Sequence, residues 1–554
     1  MTIPFDVLRA PPLDPAAEQT MVPMRDGVRL ATDVYLPDGR GRVPAILVRL
    51  PYDKCGRYTF MPQLAPYFTE RGYAFVVQDV RGKFRSEGES MPFVHEVADG
   101  YDTLDWVAAQ PWCDGQVGMW GDSYYGYTQW AAVASGHPAL KAIVPRVTSA
   151  DLEVLSAWWG DSVVPLYGAD YLAHYWLDRF IYDFPPDWSV RPLAHVYDEA
   201  FAAIGGRAAS FDLMLRMNGP EGIAQYPGAH PFDALKVPVL HSVGWFDNIS
   251  PFSFRDYEEL IARPDKRELQ YLNGDATDHE NYHLRYVPIT EQNDHDVDDE
   301  ALARMIPVYV GPGLDFFDVF LKGKDAAAVP RATWFLGNDD WHTSPSWPPP
   351  GAREARLYLG SPERAVTGVG GGALLPAADA AAGSARWVHD PSDLVPSTSA
   401  NPFSLVREWS DERSVQGRGD VLTFSGEPAS EPLDLAGPVS AWLTLGSSCA
   451  SMHVHAKLCD VYPDGAAHLL VRGEALVREA EYGRPVEVRL SHTAHRLLPG
   501  HRLRLALACS DYPLYLWHPG TDEDPWQATK GEANKQSLAT GGSSPSYVSV
   551  TVLG

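Results

Sequence analysis

The chain has 554 residues, with 45% hydrophobic and 21% charged side chains, the balance of a soluble globular protein long enough for about two to four domains. A net charge of −27 argues against nucleic acid and anionic membranes as partners. Five cysteines (Cys55, Cys113, Cys449, Cys459 and Cys509) form no C-x-x-C spacing, so neither a zinc knuckle nor a disulfide framework is expected.

The first residues, MTIPFDVLRAPPLD, lack a basic stretch followed by an apolar run, and no apolar run reaches membrane-spanning length. A cytoplasmic enzyme is therefore expected. VPAILVRL (43–50), YAFVVQDV (73–80) and GQVGMWG (115–121) read as buried strands, being short, β-branched or aromatic, and bounded by Gly or Pro. VADGYDTLDWVAAQ (97–110) sets Tyr101, Leu104, Trp106 and Val107 near helical spacing. That alternation predicts a parallel sheet covered on both faces. From 147 to 236 the strand pattern stops. LSAWWGDSVVPLYGADYLAHYWLDRFIYD (155–183) is aromatic and helical in rhythm, which predicts a helical insertion.

VPVLHSVGW (237–245) and ELQYLNG (268–274) resume the sheet, a helix is expected around 313–323, and RATWFLGNDDW (331–341) reads as its last strand. HTSPSWPPPGARE (342–354) is Pro-rich and reads as a linker. Beyond it, evenly spaced short strands and turns predict an antiparallel sandwich or jelly roll. The expected division is 1–146 and 237–345 for one α/β domain, 147–236 for its helical insertion, and 346–554 for a C-terminal all-β sandwich or jelly roll.

Two stretches carry chemistry. In GMWGDSYYGYTQW (118–130) a strand ends at Gly121, Ser123 sits in a tight turn, and a helix begins at once. That is the arrangement of a nucleophile elbow, here written G-x-S-x-x-G, with the Tyr124 N–H facing a developing oxyanion. A serine needs a base and an orienting acid, in the order Ser, Asp or Glu, His at successive strand ends. Asp247 and His279 stand where that order requires them. GDATDHENYH (274–283) also fits H-E-x-x-H, a zinc-peptidase pattern in which Glu280 acts as base and Glu291 or Asp294 could be a third ligand. That reading leaves Ser123 and Asp247 without a role, so no metal and no cofactor is expected.

Longer segments carry a resemblance: VPMRDGVRLATDVYLP (22–37), VRLPYDK (48–54), VVQDVRGKFRSEGE (76–89), DGYDTLDWVAAQPWCDGQVGMWGDSYYGYTQWAA (99–132), VGWFDN (243–248), DFFDVFLKG (315–323), HDPSDLVP (389–396) and AKLCDVYPDGAAHLLVRGEALVRE (456–479). Together they resemble the cocaine esterase-like, or X-Pro dipeptidyl-peptidase (S15), family of α/β-hydrolases. The resemblance implies an α/β-hydrolase domain (1–146 and 237–345), a helical cap inserted in it (147–236) and a C-terminal all-β jelly roll (346–554). It implies Ser123 as nucleophile, Asp247 as acid and His279 as base, with the Tyr52 hydroxyl and Tyr124 N–H as oxyanion hole. It also implies substrates among aryl, alkyl and α-amino-acid esters, acylated β-lactams and X-Pro peptides. One departure is local: the family's Gly-Pro-Trp-x-His becomes GDATDH here, which keeps His283, and after it His295, as alternative bases.

The expected activity is therefore hydrolysis of a small ester or amide through an acyl-enzyme. An X-Pro dipeptidyl-peptidase, a β-lactam acylase, a biosynthetic acyltransferase and a zinc metallopeptidase are the alternatives. Trp158, Trp159, Tyr171, Tyr175 and Trp176 are candidate pocket residues for an apolar or aromatic group. Asp122, beside the nucleophile, reads as a surface or capping carboxylate in preference to a group that accommodates an amine-bearing substrate. A homo-oligomer stays open.

Overall fold

The computed structural model describes residues 4–39, 41–56, 58–152, 162–216, 225–280, 299–399 and 401–554. A ten-stranded sheet runs 341–344, 332–335, 270–275, 239–244, 140–146, 113–122, 43–50, 74–79, 29–35, 18–23 from edge to edge. Its seven inner strands pair in parallel, and the antiparallel pairings lie towards the two edges.

The strand period of two explains how this sheet is covered. Along Val43–Leu50, Ile46 and Val48 face a layer formed by helices Met61–Glu70 and Asp299–Phe320, whereas Ala45 and Leu47 face Glu96–Ala108 and Ser123–Ser135. Both faces are dry, so nearly every residue of these strands is buried. Each such Val, Leu or Ile contributes about 1.5–3 kcal/mol of transfer free energy.

Three local differences from the sequence reading have physical causes. The helix expected around 313–323 runs Asp299–Phe320, because Pro307 and Pro312, normally helix breakers, lie inside it. The sheet continues past Ala332–Phe335 to an antiparallel strand, Trp341–Ser344, within what composition marks as linker. Between the sheet strands 140–146 and 239–244 lie helices Leu166–Tyr175, Asp198–Ile204 and Ala209–Arg216, but also a strand, Ile181–Asp183, paired antiparallel with Asp6–Leu8.

The C-terminal part is an eleven-stranded, almost wholly antiparallel sheet system with its own apolar core; the described exception is the parallel pair 372–375 with 422–425. It joins the first unit through a stack of rings. Trp347, from the Pro-rich segment, is only 2% exposed and lies against Trp245 at 5.3 Å, its indole N–H donating to His492 Nδ1 at 2.9 Å. His492 stacks on Phe254 at 4.0 Å and meets Glu258 at 2.9 Å. The expected linker thus anchors one buried ring, Trp347, between the units. Among the described residues no helix is long and apolar enough to cross a membrane.

Candidate active site

Ser123 closes the strand Cys113–Asp122 and opens the helix Ser123–Ser135, with φ of 51° in the left-handed region. A non-glycine residue holds that conformation only where its surroundings enforce it. Two glycines make room. A Cβ on Gly121 would lie 2.0 Å from the Tyr125 ring, and one on Gly126 would lie 2.5 Å from Thr148 Cγ2. The Thr148 hydroxyl in turn donates to the Ser123 carbonyl at 2.7 Å. The fixed turn presents the serine hydroxyl at the carboxyl end of the sheet, with the helix N-terminus behind it.

Asp247 and His279 meet because their strands are parallel neighbours in register. Gly244 pairs with Asp275, so the chain leaves both strands at one level, and each residue follows within a few positions. Backbone bonds lace the two exits together: Trp245 N–H donates to Asp275 O at 2.9 Å and Phe246 N–H to Thr277 O at 3.0 Å. His279 Nδ1 then lies 2.8 Å from Asp247 Oδ1, which also accepts the Ile249 N–H at 3.0 Å. The Asp247 side chain is fully buried and that of His279 is 11% exposed. Burial disfavours the imidazolium, but Asp247, then Asp122 and Glu280, outweigh it and raise the His279 pKa above the ordinary imidazole value. Nδ1 is thus the imidazole nitrogen committed to Asp247.

Tyr52 follows the strand Val43–Leu50. Its hydroxyl interacts with the Ser123 side chain and the Tyr124 backbone N–H, and donates to the Tyr171 hydroxyl at 3.3 Å. Burial pushes its pKa up to about 12, so the phenol stays a neutral donor. Ser123, His279 and Tyr52 line one cavity together with Asp122, Glu280 and Tyr309.

Asp122 is not the surface or capping group expected. It is 6% exposed, pairs with Arg146 Nε at 2.9 Å, and accepts from the Tyr309 hydroxyl. Its position follows from register, since Asp122 and Arg146 are partners on adjacent strands. Burial raises its pKa, opposed by Arg146. Tyr58, Glu280 and Tyr309 also line the cavity. The sequence reading assigned none of them to a serine site: Tyr309 comes from the proline-interrupted helix, and Glu280 drew notice only as part of H-E-x-x-H.

Of the aromatic candidates, Tyr171 and Tyr175 stack at 4.9 Å and surround the Tyr52 ring, at 6.5 and 5.6 Å. Trp176 packs on the Tyr124 ring at 5.2 Å. These three brace the candidate oxyanion donors. Trp158, Trp159, His283, Glu291, Asp294 and His295 lie outside the described residues. Asp278, His279 and Glu280 follow the strand Gln270–Asp275, and the rest of the H-E-x-x-H stretch, 281–283, lies outside the described residues. Among the described residues no three His, Cys, Asp or Glu side chains converge as ion ligands.

The geometry has parallels in known proteins. The family model of the X-Pro dipeptidyl-peptidase (S15 family) matches residues 26–183, and that of the X-Pro dipeptidyl-peptidase C-terminal non-catalytic domain matches residues 324–549. Over 539 residues the chain is 35% identical to the cocaine esterase of Rhodococcus sp. (strain MB1 Bresler), covering 90% of this chain and 91% of that protein. The chain belongs to the S15 family. Among solved S15-like structures, an α-amino acid ester hydrolase superposes over 98% of both chains with a TM-score of 0.78 and 25% identity. An aminopeptidase from a marine sediment Thaumarchaeota archaeon shares the fold, with a TM-score of 0.76 over 97% of this chain and 96% of its own, at 24% identity. The chain is accordingly a hydrolase of the cocaine esterase-like S15 family, with an α/β-hydrolase unit and a C-terminal β unit.

Proposed function

We propose that the protein is a serine hydrolase that cleaves a carboxylic or α-amino-acid ester through an acyl-enzyme. The observation that carries this reading is the 2.8 Å contact of His279 Nδ1 with Asp247 Oδ1 at the mouth of the cavity that holds the strained Ser123. Similarity to an enzyme named cocaine esterase, and to one named α-amino acid ester hydrolase, supports an ester as the bond cleaved.

In this reading His279 Nε2 removes the Ser123 proton as Oγ attacks the ester carbonyl. Asp247 holds the imidazole with its proton on Nδ1 and stabilises the imidazolium. The Tyr52 hydroxyl and Tyr124 N–H donate to the oxyanion, adding no formal charge. His279 then returns its proton to the leaving alcohol, and water repeats the sequence on the acyl-enzyme. The helical excursion between the sheet strands acts as a cap, through Tyr171 and Tyr175, and the C-terminal unit is a jelly roll.

A serine-directed fluorophosphonate tests the assignment. The wild type should be labelled at Ser123 with loss of ester hydrolysis, Ser123→Ala should be neither labelled nor active, and a chelator should leave turnover intact. Turnover by His279→Ala at the wild-type rate, with His283→Ala dead, would move the base to the other histidine.

A further inference from the structure

The family description calls the C-terminal unit non-catalytic. Yet the loop that carries His279 is held by it. Asp278, with no exposed surface, accepts the Val406 N–H at 2.9 Å through Oδ2, and the Glu280 N–H at 3.3 Å through Oδ1. Val406 lies in the short helix Leu405–Glu408 of the C-terminal unit. On either side of that helix, Phe403 places its ring 5.1 Å from the His279 imidazole, and Trp409 packs edge-on against Phe246 at 5.2 Å.

We propose that Asp278 is a positioning residue for His279, fixing the base through its tether to the Val406 amide. The proposal rests on the serine-hydrolase reading above and goes beyond it. On the strand side, the base loop is fastened by the backbone bonds of Asp275 and Thr277 to Trp245 and Phe246. Those bonds end before the base. Asp278 is the next residue, and its two bonds fix the peptide that carries the His279 Cα. One oxygen grips the far unit, and the other grips the amide just beyond the histidine. Without them, a small rotation at position 278 is amplified along the imidazole, and Nε2 moves while the 2.8 Å contact to Asp247 must stretch or follow. A misplacement of about 1 Å at reacting atoms can cost on the order of 100-fold in rate.

The test uses full-length Asp278→Ala, Asp278→Asn and His279→Ala, each assayed for ester hydrolysis, thermal unfolding, and the fraction of Ser123 titrated by a fluorophosphonate. Asp278→Ala should lower kcat per titratable site by about 10- to 100-fold with KM within about twofold of wild type. Asp278→Asn, which keeps an oxygen for the Val406 N–H, should recover at least about tenfold of a hundredfold loss. If Asp278→Ala does not fold, Asp278→Ser is read the same way, because its shorter side chain does not span the gap to Val406. Wild-type kcat per site in the Ala or Ser variant overturns the proposal, whatever its melting temperature, and so does an Asn variant no better than Ala. An active His279→Ala overturns the triad reading itself, whereas a dead His279→Ala beside an unimpaired Asp278→Ala overturns the tether alone.

Discussion

Removing one oxygen atom at Tyr52 isolates the proposed oxyanion donor from everything else that residue does. The ring is held by four others, with centroids at 5.5 Å (Tyr58), 5.9 Å (Tyr125), 6.5 Å (Tyr171) and 5.6 Å (Tyr175), so the phenylalanine of Tyr52→Phe has the same seat. What is lost in the resting protein is the hydrogen bond to Tyr171, at 3.3 Å, together with the contacts to the Ser123 side chain and the Tyr124 N–H, each with a net worth of about 0.5–1.5 kcal/mol. What is lost in the transition state is one of two donors to the oxyanion, about 2.7–4 kcal/mol or 100- to 1000-fold in kcat. The transition-state loss should appear in catalysis whatever the change in stability, with kcat and kcat/KM falling together and KM little changed. Steady-state hydrolysis of a p-nitrophenyl ester, normalised to fluorophosphonate-titrated sites, measures this. Because burial raises the Tyr52 pKa to about 12, the ratio of wild-type to variant rates should be flat from neutral pH to about pH 10. A variant within about threefold of wild-type kcat would refute the role, as would a loss confined to KM.

Three further outcomes follow from other groups. His279 must be neutral to accept the serine proton, and its pKa is raised, so kcat/KM should fall as pH drops through a value above that of an ordinary imidazole. Asp122 is one of the charges that raise it, so Asp122→Asn should shift that acidic limb to lower pH; an unmoved or raised limb in a pH–rate profile would contradict the assignment. Trp347→Ala removes a buried ring and its bond to His492, and should destabilise the contact between the two units by about 3–5 kcal/mol. Urea unfolding followed by Trp fluorescence should then show an earlier transition or two separated ones; a single transition at the wild-type midpoint would mean the stack contributes little.

How far each feature was legible depends on how local its cause is. The Ser123 elbow could be read because strand end, glycines and helix start are contiguous. Asp247 and His279 could be proposed because chain order and strand ends are sequence properties, although their 2.8 Å contact depends on the register of two strands. Asp122 was misjudged because its burial depends on Arg146, on the next strand, and on Tyr309, far along the chain. The segment around Trp347 looked like a linker because Pro-rich composition reports turns, and nothing local records that Trp245 and Phe254 wait to bury the indole. Pro307 and Pro312 masked most of a helix whose packing on the sheet overrides their cost.

The Asp278–Val406 bond joins residues 128 positions apart, across the boundary between the two units. A ribosome adding about 5–20 residues per second needs roughly 6–26 s to travel that distance. During that interval the proposed nucleophile, acid and base have all been made, yet the tether proposed for the base does not exist. On that proposal, a chain stalled before Val406 would carry every reacting group and hold its base less precisely.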